Sequence, residues 1–537
     1  MPEDRRRFLS TAGLGLAAGL AAPWARAPEP SGPDAAPAGA VAGMYDVRSF
    51  GAVGDGKTID TPAVNRAIAA VAAAGGGTLR FPAGTYACYS IHLENGVALH
   101  LDSGATLLAA STPMNGATSG DRYDDAEPNS GDNHYQDFGH SHWHNSLIWG
   151  EDLHDIAITG LGRIWGQGLS RGYGSDTPRA EAPGVGNKTI ALKNCHNVVL
   201  RDFSILKGGH FGILATGVDN LIVANVTIDT NRDGMDIDCC RNARIAGCTV
   251  NSPWDDGICL KSSYALNEPR ATENVTIANC CVSGSYEMGA VLDGTFRKFP
   301  EGFRVPRTGR IKFGTESNGG FRNIAVSNCV FDGCQGIALE SVDGADLEEV
   351  TITGITMRDI ANAPIFLRLG RRMRGPAGRL IGTLRRVIIS NVASYNSASR
   401  ICSILSGIPG HLVEDVKISD VYLDGRGGGT AAMAAIRPPE FPDKYPEPTM
   451  FGAMPAQGFF VRHVKNVEFT NVEIACEQPD LRPAFALESV EGADFFRTKT
   501  PAGIKPVFAL RDVSGFRALA CRGVKDTELA SVQTKEI

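Results

Sequence analysis

What this 537-residue chain lacks narrows its function before any motif is read. It has no excess of positive charge: 52 Lys and Arg stand against 59 Asp and Glu, for a net charge of −7. No basic run is sustained, which argues against nucleic acid or an anionic membrane surface as a partner. Beyond residues 1–27 there is no apolar stretch of membrane length. The 13 cysteines are an odd number and include the adjacent pairs Cys239-Cys240 and Cys280-Cys281, a pattern suited to buried free thiols and not to a disulfide framework. No Cys or carboxylate pattern completes a metal site around His140, His142 and His144, so no metal or cofactor is expected. Gly75-Gly-Gly77 lies between a helix pattern and a strand, so it reads as a turn and not as a phosphate loop.

What is present is a repeat. Apolar residues alternate with period two over Asn220–Asp229 and again over Asn242–Val250, the mark of short half-buried strands. A repeat of about 22 residues built from such strands predicts one coil of a parallel β-solenoid per repeat. Asn197, Asn220, Asn242, Asn274 and Asn323 recur before strand starts, and six residues on stand Phe203, Val226, Cys248, Cys280 and Cys329, an expected inward ladder.

The chain is organised around Asn231–Ser262, which carries Asp233, Asp255 and Asp256. Thirteen residues on from Asn220, Asn242, Asn274 and Asn197 lie Asp233, Asp255, Glu287 and His210. Equivalent positions in stacked coils sit roughly 4.8 Å apart, so these four side chains are expected to share one face. Like charges that close cannot all ionise freely, and at least one carboxyl is expected to keep its proton near neutral pH. Paired carboxyls with separated proton affinities are what glycosidic bond cleavage uses. The alternative is that these Asp residues only cap turns.

Asn231-Arg-Asp233, Asp255-Asp256-Gly and Ile258-Cys-Leu-Lys261-Ser resemble elements of the family 28 glycoside hydrolases, the polygalacturonase family. Tyr45–Gly56, Ser146–Glu151, Gly314–Asn323 and Arg462–Phe469 extend the resemblance over about residues 44 to 490. It implies an all-β fold, a single-stranded right-handed parallel β-helix, and an inverting hydrolase of pectin-type poly- or oligosaccharides. It also implies Asp255 as general acid, with Asp233 and Asp256 activating water. His210, Asn231, Lys261, Tyr286, Glu287, Glu340 and Arg368 are the expected substrate-binding residues. A polysaccharide lyase on a uronate polymer and a catalytically decayed carbohydrate-binding β-helix are the alternatives; the lyase would need Ca²⁺ and a cationic base.

The sequence departs from the family pattern at two places. The family's Gly-His-Gly is absent, with Tyr286 or Thr308 at the His position according to the alignment. Its Arg-Ile-Lys is replaced by Gln335–Ser341, with Ala338 for the Arg and Glu340 for the Lys. Arg310-Ile-Lys312 precedes Gly314-Thr-Glu316 and so reads as lying too early, a coincidence. A site without those cations and with Glu340 is expected to bind an anionic sugar less well, unless Arg368, Arg371 and Arg372 replace them.

Residues 1–27, with Asp4-Arg-Arg-Arg-Phe-Leu-Ser10 and an Ala/Gly/Leu-rich run, read as a twin-arginine signal; residues 28–43 read as a linker and 44–537 as one domain. A periplasmic or secreted bacterial protein is expected. Thr61-Pro62 starts a helix with Thr61 as N-cap, covering the first coil. The 110–146 insertion offers Tyr123, Tyr135 and Trp143 as sugar-facing walls, and the insertions at about 263–270 and 293–315 flank the cleft. The Pro-rich loop Arg437–Phe451 is stiff enough to block one end of a groove, which inclines the reading to exo action. After about residue 490 the repeats fade.

Overall fold

The computed structural model describes residues 43–111, 122–129, 134–171 and 179–537; the stretch read as an export signal, and the expected linker as far as residue 42, lie outside them. Three strands make one coil. Phe211–Thr216, Asp219–Ala224 and Thr227–Asp229 are followed by Asp233–Asp238, Arg241–Ala246 and Thr249–Asn251, and each strand pairs in parallel with its counterpart one coil on. The coil is right-handed, as nearly all parallel crossovers in one sheet are. Leu221 and Val223 pair with Ala243 and Ile245 and are fully buried, whereas Ile222 between them is exposed.

The corners explain the recurrent asparagine. Asn197, Asn220, Asn242, Asn274 and Asn323 adopt φ of +53° to +58°, a left-handed turn that a short carboxamide tolerates better than most side chains. Their amides bond along the axis, Asn220 Nδ2 donating to Asn197 Oδ1 at 3.0 Å and Asn323 Nδ2 to Asn274 Oδ1 at 2.7 Å. Six residues on, Phe203, Val226, Cys248, Cys280 and Cys329 are all buried, and every cysteine is a free thiol.

The N-terminal helix Thr61–Ala73 buries Ala63, Val64, Ala67, Ile68 and Val71. Its N-cap is Asp60 and not Thr61: Thr61 Oγ1 accepts from the Tyr89 amide, and the Asp60 carboxylate accepts from the Val53 and Gly54 amides. From Asp346 onward two strands of each coil fuse, so Asp346–Arg358 pairs with both Phe321–Ser327 and Val330–Asp332.

The repeats do not fade near residue 490. Phe485–Phe496 and Phe508–Leu519 are two further parallel strands, and Thr527–Glu536 closes the end antiparallel. They escape an asparagine-based reading because Gly492 and Gly515, with φ of +79° and +61°, take the corner that Asn466 holds one coil earlier. Among the described residues no helix is long and apolar enough to cross a membrane.

Candidate active site

Phe211–Thr216, Asp233–Asp238, Ile258–Ser262 and Ile311–Ser317 stack on one face of the solenoid. Met235, Ile237, Ile258 and Leu260 fill the core. Period-two alternation therefore turns Asp236, Asp238, Cys259 and Lys261 outward. The register corrects the ruler of thirteen. Met235 pairs with Ile258, which sets Asp233 level with Asp256 and not Asp255; Phe211 pairs with Asp233, which sets His210 one position off. The three carboxylates nevertheless converge, one oxygen from each lying within 4.8 Å of the others. The Asp256 amide is shared by Asp233 Oδ1 and Asp255 Oδ1, each at 3.1 Å.

Their environments differ. Burial, then the charges of Asp255 and Asp236, hold the Asp233 carboxyl well above the ordinary range, so it keeps a proton. Burial acts the same way on Asp256, but Lys312 and Arg310 outweigh it and hold that group below the ordinary range, ionised. Asp255 is the open member, its side chain 32% exposed, with Arg232 Nε at 3.1 Å.

Arg310-Ile-Lys312 is not a coincidence of sequence. Ile311 pairs with Ile258, so the string lies on the coil next to Asp255-Asp256, and Arg310 Nε reaches Asp256 Oδ1 at 2.9 Å while Lys312 Nζ lies 3.3 Å from Oδ2. The insertion before residue 310 lengthens the chain without adding a coil, so counting along the sequence misplaces it. Sequence reasoning also missed Glu447 and Tyr445. Both come from the Pro-rich loop: Glu447 Oε1 accepts from the Arg310 guanidinium at 2.5 Å, and Tyr445 Oη stands 3.2 Å from Lys312 Nζ.

Lys261 Nζ lies 2.8 Å from Glu316 Oε2 and 3.6 Å from Asp236 Oδ2. Burial alone would lower its pKa, but Asp236 and the neighbouring acids raise it well above the ordinary value. An irregularity supplies Glu316: Leu260 pairs with Phe313 but Ser262 with Ser317, so Gly314–Glu316 bulge opposite Lys261. Glu340 is fully buried, 3.5 Å from Lys312 Nζ, with Oε2 accepting from Thr315 Oγ1 at 3.1 Å. Asn231 is half-buried beside Arg232, and its Oδ1 has no hydrogen-bond partner among the described residues.

Other expected residues are placed elsewhere. Glu287 is not on the carboxylate ladder: it begins the insertion and pairs with Arg297. Tyr286 donates its hydroxyl to Asp332, and burial with that carboxylate pushes its pKa up to about 12. Arg368 does not face a sugar. It is 1% exposed and spends its guanidinium on Ser406 Oγ and on the carbonyls of Gly407, Glu440 and Phe441. His210 is buried, stacked on Phe211 at 4.3 Å, and burial drives its pKa well down, so it is neutral. Tyr123 and Trp143 cannot wall a subsite, being 0% and 2% exposed, with Tyr123 Oη on the Ala110 carbonyl and Trp143 Nε1 on Thr216 Oγ1. Tyr135 is half-buried, edge-on to Tyr264.

Two described clusters have donor atoms close enough to share a cation: Asp233, Asp255 and Asp256, and Glu127, His144 and Glu151. In the first, Arg232, Arg310 and Lys312 already supply positive charge. In the second, Lys193 Nζ sits 2.7 Å from Glu151 and the Trp143 and His144 amides point at Glu127.

The chain is a parallel β-helix that gathers three carboxylates on one face, and comparison with known proteins finds the same fold. Residues 44–151 match the family described as rhamnogalacturonase A/epimerase, pectate lyase-like, and residues 181–299 match the right handed beta helix region. A probable polygalacturonase of Vitis vinifera is 24% identical over 328 residues, covering 58% of this chain and 60% of that protein. The fold is shared with the family 28 exopolygalacturonase of Yersinia enterocolitica at a TM-score of 0.61, 17% identity, and coverage of 84% of this chain and 78% of that one. It is shared also with the hyperthermoactive exopolygalacturonase of Thermotoga maritima at 0.55, 15% identity, and coverage of 92% and 95%. The chain is thus similar in sequence to a probable polygalacturonase, of which it spans about three fifths, and shares its fold with exopolygalacturonases.

Proposed function

We propose that this protein is an exported glycoside hydrolase that cleaves pectin-type poly- or oligosaccharides with Asp233, Asp255 and Asp256. The observation that carries the reading is one protonated and one ionised carboxyl beside a third that is open to a ligand. In the free site the proton rests on Asp233. When a sugar is seated on Asp255, the proton passes to this carboxylate from Asp233, one oxygen of each lying within 4.8 Å of the other. Asp255 then protonates the glycosidic oxygen as the C–O bond breaks. Water held by Asp233 and Asp256 attacks the anomeric carbon and yields its proton to Asp233, the more basic of the two. The cycle ends with the protons where they began.

The Pro-rich loop, reaching the site through Tyr445 and Glu447, supports exo action by closing one side. The lyase alternative fits less well: Lys261, Arg310 and Lys312 are all held above their ordinary values and stay cationic, so none serves as a base. The 4.8 Å convergence is tighter than the about 6.5–9.5 Å between the carboxyls of an inverting pair. NMR of the first-formed anomer decides between the inversion that the resemblance implies and retention.

The principal test is product analysis on pectic oligosaccharides, with EDTA present and beside Asp255→Asn. Saturated reducing sugars are expected despite EDTA, falling by about 10²–10⁴-fold in the variant. Unsaturated uronates that require Ca²⁺ would make the protein a lyase, and binding without product a carbohydrate-binding β-helix.

A further inference from the structure

We propose that the cleavage centre accepts a neutral sugar and excludes a uronate, with Glu340 as the residue that sets this specificity. The inference rests on the hydrolase reading above and names the substrate class of that same site. A substrate carboxylate needs a cation with donors to spare, best of all an open arginine fork.

At the two cations beside Asp256 the donors are taken. Arg310 is 1% exposed and uses Nε on Asp256 at 2.9 Å and both terminal nitrogens on Glu447, at 2.5 and 3.4 Å. The Lys312 ammonium is likewise enclosed by three acceptors, Asp256 Oδ2 at 3.3 Å, Glu340 Oε2 at 3.5 Å and Tyr445 Oη at 3.2 Å. Lys261 is held by Glu316 and Asp236; Arg372, farther off, gives Nε and Nη2 to Asp343 and Glu316, and its buried Nη1 has no hydrogen-bond partner among the described residues. Around the two cations nearest the ionised carboxylate, three protein carboxylates already stand: Asp256, Glu340 and Glu447. A fourth, brought by a uronate, would meet like charge in a buried setting.

Unlike Asp256, Glu340 has no part in the carboxylate chemistry, and unlike Glu447 it stands on a strand of the solenoid itself, fully buried. Lys312 and Thr315 face it from its neighbouring strand, and Tyr445 and Glu447 act on it from the Pro-rich loop. Arg310 and Asp256 complete its surroundings. Arg368, opposite it in register on the next coil, spends its donors on Ser406, Gly407, Glu440 and Phe441. Burial pushes the Glu340 carboxyl up to about 7 against the pull of Lys312 and Arg310, so at pH 8 it carries its charge.

The experiment is calorimetric binding at pH 8 of trigalacturonate and of its neutral analogue, α-1,4-linked galactotriose, to Asp255→Asn, beside hydrolysis of both by the wild type. The neutral ligand is expected to bind at least about tenfold more tightly. The double variant with Glu340→Gln is expected to narrow that ratio by gaining uronate affinity. Independently of that variant's folding, lowering the pH from 8 to 6 should strengthen only trigalacturonate binding, as Glu340 gains its proton. Equal or tighter uronate binding at pH 8, or a ratio insensitive to both pH and Glu340→Gln, overturns the proposal, as does failure of both ligands to bind. Binding with the expected selectivity but no hydrolysis of either would instead overturn the hydrolase reading and leave the selectivity standing.

Discussion

At the scale of single residues, the centre stores unfavourable electrostatics where the proposed chemistry needs them. Asp233 is buried among Asp255 and Asp236, and its folded-state affinity for a proton exceeds that of an unfolded aspartate. For an acid shifted upward, the native state binds the proton more tightly than the unfolded chain does. The stability linked to it is therefore complete below the ordinary aspartate range and lost as pH rises through the raised pKa. Asp233→Asn should remove that dependence: urea melts are expected to show it more stable than the wild type by about 0.5–2 kcal/mol at pH 8, with the gain shrinking toward pH 4, while hydrolysis is abolished. A variant that loses stability equally at both pH values would mean that Asp233 is ionised and paired in the fold. The three Asp residues are legible in the sequence because each sits in a short local motif. The direction of their shifts is not, because it depends on which charges other coils bring alongside.

At the scale of elements, the Pro-rich loop shows how a segment poor in donors is held. Proline has no amide hydrogen, so the loop presents carbonyls. Arg462 donates to those of Pro438 and Pro439 at 2.6 and 2.9 Å, Arg368 to Glu440 and Phe441, and the Arg371 amide to Pro442. That clamp carries Tyr445 and Glu447 to Lys312 and Arg310. Arg368 is thus a positioning residue. Arg368→Met is expected to cost about 1–3 kcal/mol, to hasten proteolysis within residues 437–451, and to raise KM more than it lowers kcat. Faster cleavage elsewhere in the chain, with the loop still protected, would count against the clamp. The stiffness of the loop can be read from its prolines, but its anchors lie on strands 23 to 73 positions away along the chain and leave no local pattern.

At the scale of the molecule, a solenoid is held coil to coil, so damage should stay near where it is made. Phe495 packs within 4.7–4.9 Å, ring centroid to centroid, of Phe469, Phe485 and Phe508. Phe495→Ala is expected to cost about 3–5 kcal/mol, with hydrogen exchange rising across Phe459–Leu519 while Asp233–Ser262 keeps its protection. Uniform loss of protection would show instead that the coils unfold as one unit. The sequence alone determined the coil, the inward ladder and the three carboxylates, since alternation, left-handed asparagine corners and adjacent motifs are local properties that recur at a near-constant interval. Only the tertiary structure decided that Arg310 and Lys312 stand against Asp256, that Glu287 does not, and that Tyr445 and Glu447 close over them. Insertions change the count of residues without changing the count of coils, and a side chain's partners follow the register between coils, not the distance along the chain.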